Sequence, residues 1–404
     1  MNRKTDIVGV RIGALHKRWL LTLLAFGLFL WGMNFILAAN WGASIRWLWT
    51  VAAGAFCAYV LAVLWKALPL NYRVEDRAFL PYFGAGNLVS LFRGWLLAAL
   101  AGFLFTPLPV GWMAWLPGTL YILNGIADLF DGYLARRLRQ VTVMGERLDM
   151  SLDGLGVLFA SILLFRYGTL PFWVLFVGLA RFLFLLVAKL REKLGKPVYD
   201  LPPSNLRRAL AGAQMGFLGA VLLPVFTPPA TVWAGAFFSL PFLLNFGRDL
   251  LWMCGVRLDF AVLRALRSSF GCLVAQPRGW ILDWLLFGLR LGIGYGVGKQ
   301  IWSWLSAPPQ FLSAWTPLGS AQTQYHWMVA FYGIGVVSVV LGLVGRVGAA
   351  LLLIGVGLQQ GILPLGWLEA GILTSACLLF LLGSGEVSIW RPEERLIRQR
   401  WGER

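Results

Sequence analysis

The chain has 404 residues, of which 59% are hydrophobic and only 13% charged, with 21 tryptophans and a formal net charge of +17. That balance excludes a soluble globular protein and points to an integral membrane protein whose tryptophans suit interfacial belts. It also excludes a nucleic-acid binder, because the basic residues fall at the ends of apolar runs rather than in one stripe, as the positive-inside rule and anionic headgroups require.

Arg3, Lys4, Arg11, Lys17 and Arg18 precede an apolar run at residues 19–39. The run is too long for a signal-peptide core, and a second span follows at 47–68, so both read as retained helices with a cytoplasmic N-terminus. They form an N-terminal extension, 1–70, outside the catalytic core. A polar link at 71–77 and a Pro/Gly-containing loop at 81–86 come next. Further spans fall near 88–106, 112–134, 148–166, 170–189, 208–226 and 231–246. The linkers 106–111 and 227–230 carry no charge, whereas 135–147 and 190–208 are rich in Arg and Lys. Charge therefore alternates at successive turns and places the basic loops in the cytoplasm.

The residues that carry chemistry lie in DLFDGYLARRLRQVTVMGERLDMSLD, residues 128–153, where five of the chain's 18 acidic residues occupy 26 positions. Asp128 and Asp131 stand at i,i+3 and Asp149 and Asp153 at i,i+4, so each pair shares one face of a helix. Gly145 and the β-branched stretch before it break the two helices apart. Four carboxylates brought together at a membrane edge cannot all stay ionised without compensating positive charge. Oxygen ligands of this kind suit Mg²⁺ or Mn²⁺ rather than zinc.

The spacing Asp128-x2-Asp131-Gly132-x2-Ala135-Arg136-x8-Gly145-x3-Asp149-x3-Asp153 resembles the signature of the CDP-alcohol phosphatidyltransferases at all eight fixed positions. The resemblance implies a metal-dependent membrane enzyme with six spans in its catalytic domain, 71–251. It implies transfer of a phosphatidyl group from a CDP-linked lipid such as CDP-diacylglycerol to an alcohol, with release of CMP, in phospholipid synthesis. By the same likeness Asp128, Asp131 and Asp149 are metal ligands, and Asp153 completes the metal site or is the general base. Arg136 clamps the diphosphate. Gly132, Ala135 and Gly145 are small where the nucleotide lies against helix backbone. Asn87, in the run 87–93 that resembles the family's opening motif, contacts the nucleotide or, equally, serves as a helix N-cap beside an interfacial Arg93. Family members also form homodimers.

Arg181, Arg207 and Arg208 are candidates for an anion pocket that takes a phosphorylated acceptor. Snorkelling to headgroups is the stronger reading for Arg207 and Arg208. A competing reading of the whole chain is a non-catalytic assembly or transport protein that reuses the fold. Residues 248–278 read as an interfacial linker, with 252–278 as the divider between the catalytic domain and a C-terminal unit. Spans near 280–305, 327–343, 347–362 and 365–382 make that unit, 279–404, a four-helix bundle with a cytoplasmic C-terminus. It faintly resembles DoxX-like membrane proteins in the run from Arg290 to Lys299 and in its basic tail. Arg290 falls mid-membrane and must face protein or water. Cys57, Cys254, Cys272 and Cys377 are scattered without a CxxC, and His16 and His326 are isolated; neither set implies a disulfide framework or a metal site. The expected architecture is all-α and integral to the membrane: a six-helix catalytic bundle, two extra N-terminal spans and a C-terminal four-helix bundle, about 12 spans.

Overall fold

The computed structural model describes residues 2–256, 280–306, 309–311, 315–364, 366–383, 385 and 387–390. The linker expected at 252–278 lies outside the described residues beyond Val256, as does the basic tail beyond Trp390. The protein is all-α, as expected; the only strands among the described residues are a two-residue pair, Trp315–Thr316 with Gly319–Ser320. Among the described residues, six helical stretches have the length and hydropathy to cross a membrane: Gly13–Leu37, Ala43–Leu70, Ala85–Phe105, Val143–Arg166, Ala230–Met253 and Ala321–Leu341. Large apolar side chains such as Leu24, Leu28, Trp31 and Phe35 are exposed along the first of these. In water such a surface would drive aggregation, whereas hydrocarbon solvates it.

The chain divides into two compact units, Met1–Tyr167 and Gly168–Arg404. The first contains α1 (Asn2–Leu37), α2 (Ala43–Ala67), α3 (Ala85–Gly102), α4 (Leu116–Arg137), α5 (Val143–Leu152) and α6 (Leu155–Arg166). Rather than standing apart as a separate extension, α2 packs directly on α3. A side chain on Gly102 would meet the Trp49 indole at 2.3 Å, and one on Gly94 would meet Val60 at 3.1 Å. Trp49 is fully buried with its ring edge-on to Phe103. On the neighbouring face Phe56 meets Phe159 edge to face, and the Tyr59 hydroxyl donates to the Ser151 carbonyl at 3.3 Å. The N-terminal pair is thus the back wall of the helices that carry the aspartates.

Between α4 and α5 the backbone is held from outside the helices. Val74 N donates to Val141 O at 3.0 Å and Val143 N to Tyr72 O at 3.1 Å, while Arg73 bridges Thr142. The polar link after α2 is itself anchored by the buried Asn71, whose amide donates to the carbonyls of Leu80 and Tyr82. What reads as a linker is a brace. It fixes Thr142, whose hydroxyl accepts from Gly145 N at 3.0 Å and caps the start of α5.

The expected span at 148–166 is two helices. α5 ends at Leu152, Asp153 caps it with an extended ψ of 135°, and Gly154 takes a φ of 80° before α6 begins. A left-handed φ costs a side chain steric strain that glycine avoids, so the Asp153-Gly154 pair turns the chain here. Asp153 still closes the last turn of α5, its N–H donating to the Asp149 carbonyl at 2.8 Å, so the two share one face as their i,i+4 spacing requires. Asp153 sits on the corner.

The second unit contains α7 (Val174–Lys193), α8 (Asn205–Val221), α9 (Ala230–Met253), α10 (Trp280–Ser306), α11 (Ala321–Leu341), α12 (Gly345–Gln360) and α13 (Trp367–Leu382). Ser204 caps α8 by accepting from Arg207 N, and Ser320 caps α11 by accepting from Thr323 N. α8 and α9 pair through stacked Phe217 and Phe238 and through the buried Gln214–Ser239 hydrogen bond at 3.0 Å. α9 also packs on α13, so the helices after residue 279 form one packed body with α8 and α9. Arg290 is 1% exposed, and its guanidinium donates to the carbonyls of Val339 and Val340 at 2.7 and 2.6 Å and to that of Val387. It adds donors at the C-terminal end of α11, where Val339 O accepts from both the guanidinium and the Gly342 N–H. That is a packing role rather than a ligand role for this intramembrane charge.

Candidate active site

Three helices build the site, each contributing one kind of residue. α4 carries Asp128 and Asp131 one turn apart, α5 carries Asp149 with Asp153 at its end, and α3 carries Arg93. The aspartates converge as the sequence spacing requires: carboxylate oxygens of Asp128, Asp131 and Asp149 all lie within 4.8 Å of one another.

At their centre is a guanidinium. Arg93 Nη2 is 2.6 Å from Asp128 Oδ1 and 3.6 Å from Asp153 Oδ1, while Nη1 is 2.7 Å from Asp131 Oδ2 and 2.5 Å from Asp149 Oδ1. Arg93 is 3% exposed, so the residue expected at the interface is the most deeply buried member of the cluster. The Ser90 hydroxyl, one turn earlier on α3, donates to Asp131 Oδ2 at 3.2 Å. Both stand in the run 87–93 that resembles the family's opening motif, but sequence reasoning did not bring them to the aspartates. The signal available was the Ser90-x2-Arg93 spacing, which puts a hydroxyl and a guanidinium on the same face of α3. One guanidinium against four carboxylates leaves an excess of negative charge, and Asp128, Asp149 and Asp153 each keep a third or more of their side chain exposed. A strongly negative face that is open on one side is suited to cations arriving from solution.

The other expected nucleotide residues have roles within the protein. Asn87 is buried, and its amide donates to the Thr142 hydroxyl at 3.1 Å, so it latches α3 to the start of α5 and is not an N-cap. A side chain on Gly145 would meet Asn87 Oδ1 at 2.3 Å. A side chain on Gly86 would meet the Ala135 methyl at 2.8 Å, which is how closely α3 and α4 approach. Smallness at Gly145 and Ala135 thus has a packing cause independent of any nucleotide. Arg136 is exposed one turn beyond Gly132, and its guanidinium lies 3.0 Å from where a Gly132 side chain would begin.

In the second unit, Arg207 pairs with the buried Asp249 of α9, Nη1 to Oδ2 at 3.4 Å, and donates to the Pro202 carbonyl. Arg248 reaches the other oxygen of Asp249 at 2.6 Å, and Asn245 flanks it at 3.4 Å. Arg208 is exposed and Arg181 half-buried. Asp249 is the residue that sequence reasoning overlooked here. It ties Arg207 to α9, while the Arg207 side chain keeps about a third of its surface exposed.

The sequence model of the CDP-alcohol phosphatidyltransferases matches residues 83–241, a segment that contains Asp128, Asp131, Asp149, Asp153 and Arg93. A Streptomyces coelicolor protein named cardiolipin synthase (CMP-forming) is 31% identical over 147 residues, 36% of this chain and 67% of that protein. The chain belongs to the CDP-alcohol phosphatidyltransferase family. A Cereibacter sphaeroides protein named CDP-diacylglycerol–glycerol-3-phosphate 3-phosphatidyltransferase is 35% identical over 113 residues, 28% of this chain and 51% of that protein. A Rickettsia bellii protein of the same name is 35% identical over 104 residues, covering 56% of its length. The chain thus spans about half the length of these two relatives. No solved structure matches. The family match begins at residue 83 and ends at 241, and so leaves out α1, α2 and the four helices from α10 onward.

The donor set fits a divalent cation. Three converging carboxylates supply hard oxygen ligands of the type that Mg²⁺ and Mn²⁺ prefer, with no thiolate or imidazole among the residues that form the cluster.

Proposed function

We propose that this CDP-alcohol phosphatidyltransferase moves a phosphatidyl group from CDP-diacylglycerol to an alcohol and releases CMP, as a step of phospholipid synthesis at the cytoplasmic face of the membrane. The observation that carries the reading is the convergence of four aspartates from α4 and α5 in the order and spacing of the family signature. The relatives' names support the donor and, for most of them, glycerol 3-phosphate as acceptor. The alternation of basic and neutral loops supports the cytoplasmic side.

Asp128, Asp131 and Asp149 would hold Mg²⁺ or Mn²⁺, with Asp153 at the rim of the same cluster. Such an ion, when bound, supplies charge neutralisation of the diphosphate and of the departing CMP oxygen. Asp153 is set by its turn at the corner of α5 and α6, with two-fifths of its side chain exposed. From there it accepts the proton of the acceptor hydroxyl. The acceptor oxygen forms the new bond to the phosphatidyl phosphorus, the bond from that phosphorus to CMP breaks, and its electron pair leaves with CMP. Arg136, exposed on the last turn of α4, would meet phosphate oxygens with its planar fork. In this reading Asn87 and Gly145 serve by holding α3 against α5, so that Asp149 and Asp153 face Asp128 and Asp131.

The test uses the full chain in lipid vesicles with CDP-diacylglycerol and Mg²⁺ or Mn²⁺. Glycerol 3-phosphate and a panel of other alcohols are supplied in turn. CMP is quantified and the lipid product is identified by mass. The expected result is CMP release that depends on one alcohol and on the metal; no CMP with any alcohol at any metal concentration refutes the reading.

A further inference from the structure

Arg93 is the one side chain among the described residues that reaches all four aspartates, and its own hydrogen bonding is incomplete. Its two terminal nitrogens lie 2.5–2.7 Å from Asp128, Asp131 and Asp149, yet Nε is buried with no acceptor. What sets Arg93 apart is its surroundings: four carboxylates from α4 and α5 converge on this single positive charge.

We propose that Arg93 is an internal cation that competes with the divalent ion: both contend for the carboxylates of Asp128, Asp131 and Asp149, and the ion loads by displacing the guanidinium. This rests on the metal-dependent reading above. A divalent ion bonds such oxygens at about 2.1–2.6 Å, so the space between the converging carboxylates admits the ion or the guanidinium nitrogens but not both. The permanent charge of arginine makes the competitor independent of pH. Its long unbranched stem lets the head withdraw while the stem stays against α3's neighbours. Before loading, the guanidinium on α3 keeps the four carboxylates from driving α4 and α5 apart. After loading, it is a free cation beside a site that must receive a diphosphate, where it adds an anion-binding fork. Arg93 is thus a positioning residue whose presence lowers metal affinity while it protects the empty cluster.

The experiment titrates Mn²⁺ into the purified full chain and follows it by electron paramagnetic resonance, for the wild type, Arg93→Lys and Arg93→Gln. Melting temperatures are taken in chelator and in saturating Mn²⁺. Competition predicts that Arg93→Gln binds Mn²⁺ about tenfold or more tightly than the wild type, since a positive charge beside the ion is removed. It also predicts that Arg93→Gln melts below the wild type in chelator and gains more from Mn²⁺. Arg93→Lys should lie between, because the ammonium keeps the charge but bridges fewer carboxylates. If Arg93→Gln cannot be purified without metal, it is prepared in Mn²⁺ and its affinity read by chelator competition. Weaker or unchanged Mn²⁺ binding in Arg93→Gln overturns the proposal in favour of a scaffold, as does the absence of Mn²⁺ binding in all three proteins. A wild type that binds Mn²⁺ in the predicted order but releases no CMP refutes the transferase reading and leaves the competition standing.

Discussion

Replacing Asp131 by asparagine removes one of the four charges around Arg93 while preserving the side chain's shape. Asp131 is the most buried of the four aspartates and accepts from both Arg93 and Ser90. An isolated buried ion pair broken in this way costs about 3–5 kcal/mol. Here the opposing contribution is of similar size. The Asp131 carboxylate has oxygens within 4.8 Å of those of Asp128 and Asp149. At an effective dielectric of about 20, each of those repulsions amounts to about 3.5 kcal/mol before solvent screening. The attraction to Arg93 by the same formula is about 4–6 kcal/mol. Solvent reaches Asp128 and Asp149, so their repulsion is partly screened, and the two contributions come close to cancelling. Arg93 also retains Asp128 at 2.6 Å and Asp149 at 2.5 Å, so no buried charge is stranded. We therefore expect Asp131→Asn to change unfolding stability in chelator by less than about 1 kcal/mol, or by no more than about 4 °C in melting temperature. CMP release should fall at least about a hundredfold in the same protein, because a ligand of the reacting charge is lost. Scanning fluorimetry of the detergent-solubilised chain, beside the vesicle assay, measures both. A melting temperature about 10 °C or more below the wild type in chelator, equivalent to about 3 kcal/mol, would refute the charge argument, since the cluster would then be an ordinary structural ion-pair network.

The remaining predictions concern the groups around the cluster and one distant helix end. Asp153→Asn should lower CMP release by about 10²–10⁴-fold, the usual contribution of a general base; Mn²⁺ binding, read by the same resonance titration, should remain, because three carboxylates still converge. Gly145→Ala should destabilise the chain by about 1–3 kcal/mol, through overpacking against Asn87 Oδ1 at 2.3 Å. Adding Asn87→Ala should restore part of that loss in denaturant titrations, as a coupled pair requires. Arg290→Gln should remove the guanidinium donor of the Val340 carbonyl, at about 1–3 kcal/mol, while Val339 O keeps the Gly342 N–H at 3.2 Å. Hydrogen exchange should then rise around residues 339–344, and unchanged exchange there would contradict the capping role.

Several features were legible because they follow from one-dimensional rules. Spans were readable from apolar runs, since hydrocarbon tolerates few charges over a helix's length. The convergence of Asp128, Asp131 and Asp149 was readable from spacing, since residues a turn apart share a face wherever the helix lies. The Asp153-Gly154 corner was available as a turn dipeptide inside an apolar stretch, but the hydropathy of residues 148–166 masked it. Hydropathy averages over a window, whereas a single left-handed residue is enough to end a helix.

By itself, then, the sequence determined that this is an all-α membrane protein and which carboxylates meet, because composition and periodicity act locally along the chain. Only the tertiary structure decided what stands between those carboxylates and what holds them there. Arg93 is some 35 residues before the nearest aspartate of the cluster, and its spacing from Ser90 puts the two on one face without showing whether that face meets headgroups or carboxylates. The same holds for Asn87 against Gly145, Asp249 against Arg207, and Trp49 against Gly102. Each pairing is set by how closely two helices approach, a distance fixed by side chains on both surfaces at once and written in neither helix alone.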